Sequence, residues 1–171
     1  MSTDPKDRLK ALKRLSRIRI RLIDTILLSA VNREANIDLN LAQDSQEQNI
    51  LKNAIHGLII IYYFSFLQSN LVEAQWQQIK SPIGTQRPSF NKVDWDKFDL
   101  LKYARDCFAH NWEGQVFPRS QNNTQYFISV LSRSNPTFLS LFNNKIILSD
   151  VATFECLQVV KSILEEGVIA V

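Results

Sequence analysis

Apolar residues along this chain recur mostly at steps of three and four, the spacing that gathers them on one face of a helix. Over residues 5–33, Leu9, Leu12, Ile20, Ile23 and Leu27 fall on one arc, while Lys10, Lys13, Arg14, Arg17 and Arg21 fall to the other side. That pattern predicts a long first helix with one packing face and one basic stripe. A polar stretch at 36–44 reads as a loop. Residues 45–79 read as a second long helix, apolar around most of its circumference between positions 55 and 67 and so expected at the centre of the core. Ser81, Pro82, Gly84 and Pro88 mark another loop. A motif-bearing third helix is expected over 94–112, opened by Asp94 as N-cap and burying Phe98, Leu101, Phe108 and Trp112. Further on, 126–132 and Lys145–Leu148 read as two short strands, with turns at 134–136 and at Asn143 and Asn144. The last helix is expected to start at Ser149 or Asp150 and to stop at Gly167, so that residues 125–167 form a hairpin followed by a helix.

Composition narrows the class. A length of 171 residues suits one domain, here 1–171, and 45% hydrophobic with 22% charged residues is the balance of a globular protein, which excludes disordered and fibrous classes. Only 4 Gly and 5 Pro are present, too few for the many turns of a barrel or sandwich or for a Gly-rich phosphate loop. The expected fold is therefore all-α: a compact helical bundle with a small β-hairpin before the last helix. The two cysteines, Cys107 and Cys156, sit within apolar-periodic segments and read as buried thiols. No zinc spacing, no paired-His spacing and no nucleophile elbow is visible, so neither a metal nor a cofactor is expected.

The longest apolar stretch, 57–67, is about half the roughly 20 residues that cross a bilayer, and it reads as a buried helix rather than a membrane span. Near the start, apolar positions alternate with Arg17, Arg19, Arg21 and Asp24, unlike the unbroken apolar core of a secretory signal. A cytoplasmic protein is the expectation. The net charge is +3, but its distribution is uneven: up to Arg21 there are eight basic residues against Asp4 and Asp7, and beyond it acidic residues outnumber basic ones. Such clustering attracts polyanions, so the stripe of Lys10, Lys13, Arg14, Arg17 and Arg21 is a candidate RNA-binding surface. It also reads as a plain solvated helix face, or as a contact for an anionic membrane or partner. His56, at the shoulder of the second helix, reads as a structural histidine before it reads as part of a site.

Chemistry concentrates at 104–114, Ala-Arg-Asp-Cys-Phe-Ala-His-Asn-Trp-Glu-Gly. Arg105 falls in the middle of the arc of Phe98, Leu101, Phe108 and Trp112, where a guanidinium is costly to desolvate unless it meets a carboxylate, a phosphate or a partner subunit. Asp106 and His110 are four apart and can touch on a helix, the carboxylate orienting the imidazole. Arg105 and His110, five apart, stand about 140° apart on a straight helix, so they converge only if the helix ends near Ala109 or a cleft straddles it. Cys107 as a nucleophile beside His110 has little to support it, because its neighbours are apolar.

The run Arg105-Asp106, three residues, His110-Asn111 resembles the motif of the HEPN superfamily (higher eukaryotes and prokaryotes nucleotide-binding), an Arg followed by a polar residue and then by a His after four to six residues. The resemblance implies a compact α-helical domain with the motif near the end of a late helix. It further implies a metal-independent RNA endonuclease of toxin or defence type, working as a homodimer. Arg105 would hold the scissile phosphate and His110 would transfer protons, with Asp106 and Asn111 as the motif's polar neighbours. Cleavage through the ribose 2′-hydroxyl needs a base, an acid and a cation for the phosphorane charge, and a two-fold pairing of the motif supplies two histidines to one cleft. Toxin members of the family pair with an antitoxin, in some cases a nucleotidyltransferase that modifies a Tyr two residues after the His; here that position is Trp112, which has no hydroxyl. Two other readings stand beside this one: a nucleotide- or RNA-binding HEPN module without cleavage, and a helical interaction protein in which Arg105 is the buried ion-pair partner of Asp99 or Glu73.

Overall fold

The computed structural model describes residues 45–81, 87–116 and 121–167. The helix expected over 5–33, and with it Lys10, Lys13, Arg14, Arg17 and Arg21, lies outside the described residues. Within them the chain forms five helices and one hairpin: α1 (Ser45–Asn70), α2 (Glu73–Lys80), α3 (Trp95–His110), α4 (Gln121–Ser134), β1 (Leu139–Phe142), β2 (Lys145–Leu148) and α5 (Ala152–Glu166). The fold is mostly α, with a two-stranded antiparallel hairpin before the last helix.

The core is built where α1 meets α3 and α5, with α4 packed on α3. Ile60, Phe64 and Leu67 of α1, Phe98, Leu101 and Ala104 of α3, and Val160 and Ile163 of α5 are withdrawn from water. Their three- and four-residue steps are those of one buried face per helix. Phe64 and Phe98 meet with tilted rings 5.5 Å apart, and Tyr103 of α3 stacks on Phe127 of α4 at 4.1 Å.

Four expectations need correction. The last helix, expected to start at Ser149 or Asp150, begins at Ala152, with Val151 at its N-cap position and no side-chain cap. The segment 126–132 is not a strand but the middle of α4. Its β-branched and aromatic residues suggested a period of two, yet Phe127 and Val130 are the buried positions, with Leu131 half-buried, a helical spacing set by packing against α3. The first strand lies later, at Leu139–Phe142, and pairs Leu139 with Leu148 and Phe142 with Lys145. Asn143 and Asn144 form the tip, both with positive φ (48° and 58°), as a tight two-residue turn between twisted strands requires.

The second helix, expected unbroken over 45–79, breaks after Asn70. There the Ser69 hydroxyl and the Asn70 amide both donate to the Phe66 carbonyl, and Val72 turns extended before α2 begins. The motif helix spans Trp95–His110, with Asp94 accepting from the Lys97 N–H as N-cap. Trp112 lies past its end and is 56% exposed rather than buried.

By length and composition α1 is apolar enough to cross a membrane, with a mean hydropathy of 1.5 over its best window. Its inner face nevertheless carries buried Asn53, His56 and Asn70 and packs on α3 and α5. Asn53 ties the hairpin to the bundle: its amide donates to the Ile146 carbonyl and its carbonyl accepts the Leu148 N–H, at 2.9 and 2.8 Å.

Candidate functional site

The C-terminal turn of α3 is fixed by one aromatic ring. Phe108 is 5% exposed, and its ring lies against two glycines: Gly57 of α1 and Gly114 of the following loop. A β-carbon at Gly57 would overlap the ring, and one at Gly114 would stand 2.5 Å from its tip. Gly114 also has a φ of 70°, in the left-handed region where a side chain is strained. Two small residues thus let the helix end approach α1 and let the loop fold back over it.

Helix α3 stays regular through His110. Asn111 caps it, donating its backbone N–H to the Cys107 carbonyl at 2.9 Å, while its side-chain oxygen accepts the Glu113 N–H at 2.8 Å. Asn111 is therefore engaged in shaping the turn. From there the chain joins the hairpin: the Ile146 N–H donates to the Gly114 carbonyl, the Val116 N–H to the Asn144 carbonyl, and Lys145 pairs with Glu113.

Arg105 lies three-quarters buried, with 26% of its side chain exposed. Its Nη1 donates to Asp106 Oδ1 at 2.7 Å, and its Nε is buried with no hydrogen-bond partner. Lys102 donates to the other oxygen, Asp106 Oδ2, also at 2.7 Å. Two cations thus share one carboxylate, and the cluster keeps a net positive charge at the edge of the bundle. Lys102 was missed in the sequence, although its four-residue spacing from Asp106 is the helical ion-pair spacing.

The two carboxylates that could have formed a buried pair with Arg105, Asp99 and Glu73, are engaged elsewhere. Asp99, 7% exposed, receives two hydrogen bonds from Arg87 and one from the Tyr126 hydroxyl at 2.8 Å. The Arg87 guanidinium lies over the Trp95 ring, 4.7 Å from its centre. Glu73 accepts from Gln77 on its own helix. Burial first, and then the Asp99 contact, hold the Tyr126 phenol above its usual pKa. Nothing in the sequence pattern singled out Arg87 or Tyr126, because both come from outside the motif helix.

His110 is exposed at the last helical position, and Trp112, two residues on, is exposed as well. Because α3 does not end early, Arg105 and His110 remain about 140° apart around it. A small cleft between α3 and α4, about 40 Å³, takes in Lys102, Asp106, Asn123 and Tyr126, and neither Arg105 nor His110 lines it. The structure brings Arg105, Asp106 and Lys102 together and sets His110 on an adjoining face.

A larger cavity of about 790 Å³ opens between the start of α1 and the hairpin. Its charged residues pair off, Lys52 with Asp150 and Lys145 with Glu113, so it offers no unneutralised cation for a phosphate. Lys52 holds the Asp150 carboxyl below the usual range. His56 is buried, at 2% exposure, on the inner face of α1. Cys107 and Cys156 are buried and form no disulfide, and burial pushes the Cys156 thiol well up, away from the thiolate that a nucleophile needs. Among the described residues no cluster of three His, Cys, Asp or Glu is placed to hold a metal ion. No family model matches the chain, and neither a curated protein nor a solved structure matches it.

Proposed function

We propose that the chain is an RNA endonuclease of toxin or defence type, of the kind its HEPN-like motif implies, cleaving without a metal at a cleft built by two copies. One observation carries the reading: Arg105 is anchored near the end of α3 by Asp106 with 26% of its side chain still exposed, and an exposed His110 stands five residues further on. A structural Arg would be expected to spend its charge on a buried carboxylate, and Asp99 already belongs to Arg87.

In this mechanism Arg105 receives the phosphate, with Lys102 adding a second positive charge beside Asp106. His110 takes the 2′-hydroxyl proton, the 2′-oxygen attacks phosphorus, and the P–O5′ bond breaks. The leaving 5′-oxygen receives a proton from the histidine of the second copy, giving a 2′,3′-cyclic phosphate and a 5′-hydroxyl. The 140° separation of Arg105 and His110 on one helix favours a composite cleft, since a second motif beside a two-fold axis can complement each. Exposed Trp112 supplies apolar area for such a contact. A nucleotidyltransferase-type antitoxin would need an acceptor other than residue 112, where Trp stands.

Mixing two inactive chains tests the composite cleft. His110→Ala and Arg105→Ala should each be inactive alone and regain partial cleavage when combined, and sedimentation should show a dimer. An active monomer, or a mixture as silent as its parts while the parent cuts, contradicts it.

A further inference from the structure

The larger cavity, between the start of α1 and the hairpin, has one wall made by a sheet face. The hairpin register pairs Ser140 with Ile147 and Phe142 with Lys145, so these four side chains share a face, opposite to buried Leu139 and Ile146, and all four line the cavity. Phe142 is 66% exposed, the most of any large apolar side chain among the described residues. The backbone that carries it is nevertheless fixed, because Asn143 and Asn144 close the turn and the Asn53 clamp ties the neighbouring strand to α1. From α1 the cavity receives Asn49, one turn before Asn53 on the same helix row, whose amide has no partner among the described residues. Within this site charge cancels, Lys52 against Asp150 and Lys145 against Glu113.

We propose that this cavity seats one base of a single-stranded RNA, its ring stacked on Phe142 and its edge bonded by Asn49. The choice of RNA as the ligand rests on the nuclease reading. A volume of about 790 Å³ lies within the roughly 300–1,000 Å³ of sites that enclose small molecules. With every charge on its wall paired, the cavity suits a neutral ring and not a phosphate, which Arg105 and Lys102 are placed to take. An aliphatic occupant would leave Asn49 unsatisfied, whereas a base edge offers both a donor and an acceptor to an amide that is itself both. An exposed aromatic ring on a rigid strand is the platform on which single-stranded bases stack. The site adjoins the motif: Glu113, on its wall, is three residues past His110, so their Cα atoms lie within about 10 Å of each other. The seated base therefore belongs to a nucleotide near the cleaved phosphate, and this cavity sets the sequence preference of cleavage.

Fluorescence anisotropy with a dye-labelled 2′-O-methyl oligoribonucleotide tests the site apart from the chemistry, because that probe has no 2′-hydroxyl to attack with. Phe142→Ala in the full chain should weaken its binding by about 5- to 100-fold, the worth of one base–aromatic stack, and Phe142→Tyr should restore it to within about 2-fold of the parent. An abasic oligomer of the same length should bind the parent and Phe142→Ala alike. Among oligomers of a single base, Asn49→Asp should alter which base binds best, since a carboxylate only accepts. Binding by Phe142→Ala at the parent's affinity would overturn the proposal, as would no binding by the parent, equal losses with the abasic oligomer, an unchanged base ranking in Asn49→Asp, or a dimer that Phe142→Ala dissociates while RNA affinity stays. A parent that binds through Phe142 but never cuts RNA would sink the nuclease reading and uphold this one; a parent that cuts with the same KM and base preference as Phe142→Ala would do the reverse.

Discussion

Phe108 is held between two positions that have no room for a side chain, and the motif turn depends on that contact. Gly57→Ala should therefore destabilise the protein by about 1–3 kcal/mol, the range of overpacked cores, as measured by urea unfolding. A change below about 0.5 kcal/mol would mean that the ring is not wedged. Tyr126 and Tyr103 carry a pH signature of the same region, both phenols being raised above their usual value of 10.0, in each case first by burial. The folded protein keeps these protons when the unfolded chain has begun to lose them, so stability should fall as pH rises past about 10. Tyr126→Phe should make that fall shallower; an equally steep fall would remove Tyr126 from it. At this scale the sequence was partly readable. Arg105 and Asp106 stood out because charge interrupted an apolar arc, whereas Arg87, Asn53 and Gly57 act on partners remote in sequence, and spacing along one helix carries no sign of those.

Helix ends and the hairpin decide where the site sits. Asp94 as N-cap and Gly167 as stop were legible because capping chemistry is local. The identity of α4 was not, since aromatic and β-branched residues suit a strand until packing on α3 selects the helical period. The extension of α3 to His110 was misjudged by only two residues, but those two put Trp112 in water. The hairpin holds the motif loop through Gly114 and Val116, and Asn53 holds the hairpin. Asn53→Ala would leave the Ile146 carbonyl and the Leu148 N–H unsatisfied, at a cost of about 1–3 kcal/mol. Hydrogen exchange should report it as faster exchange in Lys145–Leu148 with α3 little changed, and unchanged exchange there would show that the strand holds without the clamp.

Taken whole, the molecule is a helical bundle whose class was legible from its scarcity of Gly and Pro and from its apolar spacing, and whose candidate site was legible only as a motif on one helix. The motif gave Arg105 and His110, and the helix expected over 94–112 is regular between them, which keeps their faces apart. That separation is why the proposed mechanism calls for two copies of the chain, each contributing to one cleft. The most direct measurement is cleavage of a single-stranded RNA by the purified full chain in EDTA, with product ends analysed, beside the His110→Ala variant. The account predicts 2′,3′-cyclic phosphate and 5′-hydroxyl ends from the parent and a loss of at least about 100-fold in the variant, whose folding should be unchanged. A parent that cuts only when a divalent metal is restored, a parent that does not cut, or a His110→Ala chain that cuts at the parent's rate would contradict it.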